Sequence, residues 1–125
     1  MSKGIITIEA TTTVREAVNL MREKKTSSIV VERRDENDEF GMIAVTDVAE
    51  KVMAKDLSPD RVNVYEVMSK PVLTLHVDMA VVYAVRMLSR FQLSRALVVD
   101  DGRNPVGLVT LRDMVLRTLE EEKKD

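Results

Sequence analysis

The chain has 125 residues, of which 45% are apolar and 32% charged, with a formal net charge of −2. That length supports one compact domain or two small units sharing a core, and the interspersed charge offers no basic face for nucleic acid. There are no cysteines, which excludes disulfides, thiolate metal sites and cysteine nucleophiles, and no apolar run approaches the roughly 18 residues needed to span a bilayer. The start, Met1 to Gly4, lacks the apolar core of a signal peptide, so a cytoplasmic location is expected.

In chain order, Ile5 to Ile8 is β-branched throughout and predicts a first strand. Thr13 followed by Glu16 is a capping-box start, and Val14, Ala17, Val18 and Met21 then form one buried helical stripe. Lys24 and Lys25 close that helix where cations suit its C-terminus. Ile29 to Val31 predicts a short buried strand, Arg33 to Glu39 a solvated hairpin tip, and Phe40 to Val45 the returning strand. A second helix is expected from about Thr46. Residues 56–71 read as a connector, with one helical turn over Val64 to Met68 that ends before Pro71.

The second half repeats this plan. Val72 to Leu75 predicts a strand, and Val81, Ala84, Val85 and Leu88 predict a helix. Ala96 to Val99 predicts the next strand. Asp100 to Asn104 reads as a hairpin turn, with Gly102 expected at a positive φ. Pro105 starts the return strand where a missing N–H is tolerated. Gly107 to Asp113 then runs from strand into a terminal helix, and residues 120–125 are expected to fray.

A shift of 67 positions pairs Thr7 with Thr74, Val14 with Val81, Ala17 with Ala84, Ser27 with Ser94 and Val31 with Val98. One residue fewer in the second hairpin then brings Gly41 onto Gly107 and Asp47 onto Asp113. Each unit therefore reads β-α-β-β-α: residues 5–55 and 72–119, joined by the connector at 56–71. The predicted class is α/β of the α+β type, with two small mixed sheets packed about a pseudo-twofold axis to share one core.

The duplicated Gly-x-x-Thr-x-x-Asp ending, the apolar-Thr-apolar first strand and the Ser/Arg before the second strand resemble a tandem pair of cystathionine-β-synthase (CBS) domains, a Bateman module. The resemblance covers roughly residues 5–119. It implies a regulatory module with no chemistry of its own, binding adenosine-containing ligands in one or two clefts between the repeats. AMP, ADP or ATP is the expected regulatory ligand, with S-adenosylmethionine behind them and no obligatory cofactor. A homodimer and a separate regulated protein are the implied partners, without nucleic acid or membrane. The alternative is a dimerisation or protein-interaction scaffold of the same fold whose clefts take no nucleotide.

By the same resemblance, each cleft joins the Thr/Asp end of one repeat to the first two strands of the other. One set is then Thr46 and Asp47 with Thr74, Ser94 and Arg95, and the other is Thr110, Arg112 and Asp113 with Thr7, Ser27 and Ser28. A strand that feeds straight into a helix offers free backbone N–H groups and a dipole for phosphate. A carboxylate one turn in can accept from both ribose hydroxyls, as in dinucleotide-binding folds. Thr110 with Asp113 is equally a good helix start, a hydroxyl cap with an acid in the first turn. The two sets differ: Ala44 stands where the first hydroxyl belongs, and Ser28 stands opposite Arg95, so unequal affinities are expected. No metal site is expected, because His76 is the sole histidine and no ligand set shows in the spacing. No nucleophile–base pair or P-loop supports an enzyme.

Overall fold

The computed structural model describes residues 5–123, and the side chains of residues 5–120. It divides into two compact units, one over Ile6–Val72 and one from Leu73 onward, which Ile5 joins. Each unit has a three-stranded mixed sheet and two helices.

In the first unit, β1 (Thr7–Ile8) pairs parallel with β2 (Ser28–Val31), which pairs antiparallel with β3 (Gly41–Ala44). Helix α1 spans Val14–Lys24. Thr13 caps it as the sequence predicts, accepting the Glu16 N–H at 3.2 Å, and Lys25 ends it in the left-handed region. Helix α2 is only Val45–Val48. The chain then widens into a π turn over Ala49–Met53, where the Ala54 N–H reaches the Ala49 carbonyl at 2.8 Å.

The residues expected to form a connector build into this unit. Val62, Val64 and Val67 are buried with Val14, Ala17, Ile43 and Val52 in one core. The backbone follows: the Val62 carbonyl accepts the Val14 N–H at 2.9 Å, and the Val64 N–H donates to Thr12 at 2.8 Å. A 3-10 turn at Val64–Glu66 matches the predicted helical turn, and Ser69 then bridges Met42 on the outer edge of β3. Gly41 is needed here, because a Cβ would stand 2.9 Å from the Met68 sulfur and 3.2 Å from the Ser69 carbonyl.

In the second unit, β4 (Thr74–His76) pairs parallel with β5 (Arg95–Val99), which pairs antiparallel with β6 (Pro105–Thr110). The register is that of the first unit: Thr74 faces Leu97 where Thr7 faces Val30, and Arg95 faces Thr110 where Ser28 faces Ala44. Helix α3 spans Val81–Arg90, and α4 spans Leu111–Lys123, continuing into the stretch expected to fray. The core is smaller, built on Leu75, Ala84, Leu88 and Ala96.

The β5–β6 turn departs from expectation. Its left-handed residue is Arg103, at φ 62°, and not Gly102. The Asp100 carboxylate organises the turn instead, accepting the Gly102 and Asn104 N–H groups, each at 2.9 Å. The Asn104 N–H in particular holds the Asp100 carboxyl below its ordinary range.

Candidate functional site: the two strand-to-helix junctions

In the second unit, pairing of β5 with β6 gathers Ser94, Arg95, Thr110 and Asp113 at one end of the sheet. The Ser94 carbonyl accepts the Leu111 N–H at 2.8 Å, and the Thr110 hydroxyl accepts the Asp113 N–H at 3.0 Å. Two first-turn donors are thus already engaged, fewer than the open set a bare helix start would offer a phosphate. The Thr110 hydroxyl keeps its own proton to donate. Arg112 and Asp113 are exposed, as is Thr74 at the start of β4.

The first unit builds the same junction and closes it. The Ser27 carbonyl accepts the Val45 N–H at 2.9 Å. Asp47 turns back on its own helix start: one carboxylate oxygen accepts the Ala44 N–H at 2.9 Å and the other lies 3.4 Å from the Lys51 ammonium. Lys51 also donates to the Val67 carbonyl at 2.9 Å. Ala44 offers no hydroxyl to the helix's first N–H groups, while the Asp47 carboxylate satisfies the Ala44 N–H itself, the reverse half of a capping box, and the Asp47 side chain is only 15% exposed. Thr46 is exposed and Ser28 buried, while the Thr7 hydroxyl donates to Glu32 at 2.7 Å. The Thr110 hydroxyl thus caps the start of α4, and the Asp47 carboxylate bonds the start of its own helix. Of the expected ligand sets, Thr7, Ser27, Ser28, Thr46 and Asp47 lie in the first unit, and Thr74, Ser94, Arg95, Thr110, Arg112 and Asp113 in the second.

The CBS-domain family model matches residues 1–54 and 64–120, one repeat each. The chain belongs to the CBS-domain family.

An uncharacterised protein of Methanopyrus kandleri is 32% identical to this CBS pair over 98% of the chain and 65% of its own length. Among solved structures, a hexameric CBS-CP12 protein from bloom-forming cyanobacteria is 33% identical, with a TM-score of 0.87, over all of this chain and 72% of that one. A conserved CBS-domain protein of unknown function from Thermoplasma acidophilum is 32% identical, with a TM-score of 0.80, over 93% of this chain and 65% of that one. The chain thus spans about two thirds of the length of these relatives. What they share with it is the CBS pair, a module that is typically regulatory.

Sequence reasoning missed two features of the second CBS unit. His76 is partnered: the Asp78 N–H donates to its Nδ1 at 3.1 Å, which places the ring proton on Nε2, 2.5 Å from the Asp101 carboxylate. His76, Asp78 and Asp101 approach metal-ligand spacing, yet both ring nitrogens are used within the cluster and both carboxylates stand in solvent. The second feature is a groove of about 440 Å³ over the sheet, lined by α3, α4 and β4 and reaching Asp113 and Arg117.

Proposed function

We propose that this CBS pair is a regulatory module that binds an adenosine-containing ligand of the AMP, ADP or ATP class, with Asp113 as the principal ribose acceptor. The observation that carries the choice of acid is the contrast between the two junctions. Asp47 is occupied by the Ala44 N–H and Lys51 and mostly covered, whereas Asp113 is exposed and its helix start is capped by the Thr110 hydroxyl. A carboxylate that holds no helix-start N–H can accept a diol, and one that must leave such a bond to do so gives up about 1 kcal/mol. Arg95, Arg112 and the Thr110 hydroxyl, all of the second unit, supply the donors for phosphate, with Thr74 and Ser94 of the same unit beside them in the expected sets. The ligand is sensed and not transformed.

The scaffold reading has its own support. Helices α3 and α4 carry exposed Val82, Tyr83, Leu116 and Leu119, an apolar surface of the kind that subunit contacts cover. We propose a homodimer through it, compatible with ligand binding and not an alternative to it.

Thermal unfolding in millimolar AMP, ADP and ATP tests the ligand class. A ligand at about 100 times its dissociation constant adds about 2.7 kcal/mol, several degrees for a chain this size. A shift with at least one of the three is expected. No shift with any of them leaves the scaffold role alone.

A further inference from the structure

The two CBS units order the approach to their first helix by different chemistry. In the first unit, the Thr13 hydroxyl accepts the Glu16 N–H at 3.2 Å, and the Val14 and Arg15 N–H groups reach the carbonyls of Val62 and Pro59. None of these acceptors titrates near neutral pH. The repeat puts Ala80 at the position of Thr13, and Ala80 offers α3 no side-chain cap. It also puts His76 at the position of Glu9 and Asp78 at that of Thr11. The Asp78 N–H donates to His76 Nδ1 at 3.1 Å, so in the second unit a titratable ring nitrogen orders the loop that leads into the helix.

That ring stands between carboxylates. Its Nε2–H meets Asp101 of the β5–β6 turn at 2.5 Å, and the Asp78 carboxylate lies 3.7 Å from Nδ1. Asp100, in the same turn, also feels the charge of the ring. The cations on the neighbouring elements are Arg103 in that turn and Arg117 of α4, which lines the same groove as His76 together with Asp113. The His76 side chain is 39% exposed, so protons reach it from solvent.

We infer that His76 is a pH-operated latch on the loop between β4 and α3. A histidine ring takes up its second proton near neutral pH. Here Nε2 carries the first, so the second passes from solvent to Nδ1. Nδ1 then has no lone pair for the Asp78 N–H, and two donors face each other across 3.1 Å. The loop yields: the Asp78 N–H turns to water, and the Asp78 carboxylate, 3.7 Å away, accepts the new Nδ1–H. The Nε2–H bond to Asp101 persists and gains charge assistance, so the ring stays tethered to the β5–β6 turn in both states. The Val77 N–H remains on the Val99 carbonyl at 2.8 Å, which confines the change to residues 78–80 and the first turn of α3. That turn carries Val81, Val82 and Tyr83, all exposed, so the latch sets how these apolar side chains are presented. The inference rests neither on nucleotide binding nor on the dimer, since every contact it uses lies within one unit of one chain.

The test is an NMR titration of the whole 15N-labelled chain from about pH 8 to about pH 5, a window above the range in which free carboxylates titrate. At the upper end, long-range correlation of ring protons with ring nitrogens should show the Nε2–H tautomer of the sole histidine. Below the midpoint of the ring, the Asp78 amide proton should move upfield and lose about fivefold in protection against exchange, as for one hydrogen bond. The Val81 and Val82 amides should move with the same midpoint. His76→Asn puts an amide oxygen near the place of Nδ1, an acceptor that does not titrate. In that variant the loop response should vanish while the rest of the spectrum is kept. Asp78→Asn keeps the N–H and removes the carboxylate, and its residue 78 amide should still be released below the midpoint. An Nδ1–H tautomer at the upper end overturns the inference. So does an Asp78 amide that does not follow the ring, or a loop response that survives in His76→Asn.

Discussion

Replacing Val64 by alanine separates a connector that joins two units from one that completes a core. Val64 is 0% exposed, and its N–H bond to the Thr12 carbonyl survives the change. The loss is therefore side-chain burial alone. Two buried carbons at about 0.8 kcal/mol each give about 1.6 kcal/mol. The unfilled space among Val14, Ile43 and Val52 adds roughly another 1 kcal/mol. The expected destabilisation is thus about 2–3 kcal/mol. With a urea slope near 1.5 kcal/mol per molar, the midpoint should fall by about 1.3–2 M, followed by far-UV circular dichroism. Tyr65, next in sequence and 52% exposed, is the control, and Tyr65→Ala should stay within about 0.5 kcal/mol. A Val64→Ala midpoint equal to that of Tyr65→Ala would refute the claim that this segment belongs to the first core.

Three further outcomes are expected. Lys51→Met removes the donor to Val67 and the partner of Asp47 together, and should cost about 1–2 kcal/mol in the same urea titration. The Lys70 ammonium beside Asp38, with the Arg34 N–H, holds the Asp38 carboxyl well below its ordinary 3.8. Its contribution is therefore present above pH 3.8 and is lost as pH falls below it, because the unfolded chain then takes up a proton that the folded chain resists. Lys70→Met should flatten that acid limb of the stability profile while leaving its shape above pH 5 unchanged. Tyr83→Glu with Leu116→Glu should convert a dimer to a monomer in analytical ultracentrifugation, and a dimer that survives both changes would place the subunit contact elsewhere.

The duplicated strand-to-helix motif carried most of what the sequence made legible. Because Gly41 to Asp47 and Gly107 to Asp113 recur in matching surroundings, the β-α-β-β-α succession of both units and the Thr13 and Thr110 caps could be read without coordinates. Local chemistry failed where partners were distant or where two groups competed for one task. Gly102 was the natural candidate for a positive φ, but the Asp100 side chain fixes the turn and passes that conformation to Arg103. Asp47 resembled Asp113 by position, yet its carboxylate is taken by the Ala44 N–H and the Lys51 ammonium. Val62, Val64 and Val67 fit neither a helical nor a strand period, so their burial was hidden until the first unit's sheet and helices were in place around them.

Isothermal titration with the adenosine nucleotide that gives the largest thermal shift, on the parent chain and on Asp113→Ala and Asp47→Ala, bears most directly on the regulatory reading. Asp113→Ala should weaken the tighter site at least tenfold with little loss of stability. Asp47→Ala should lower stability by about 1 kcal/mol through its lost cap while sparing that site. Full binding in Asp113→Ala, or loss of the tighter site in Asp47→Ala alone, would contradict it.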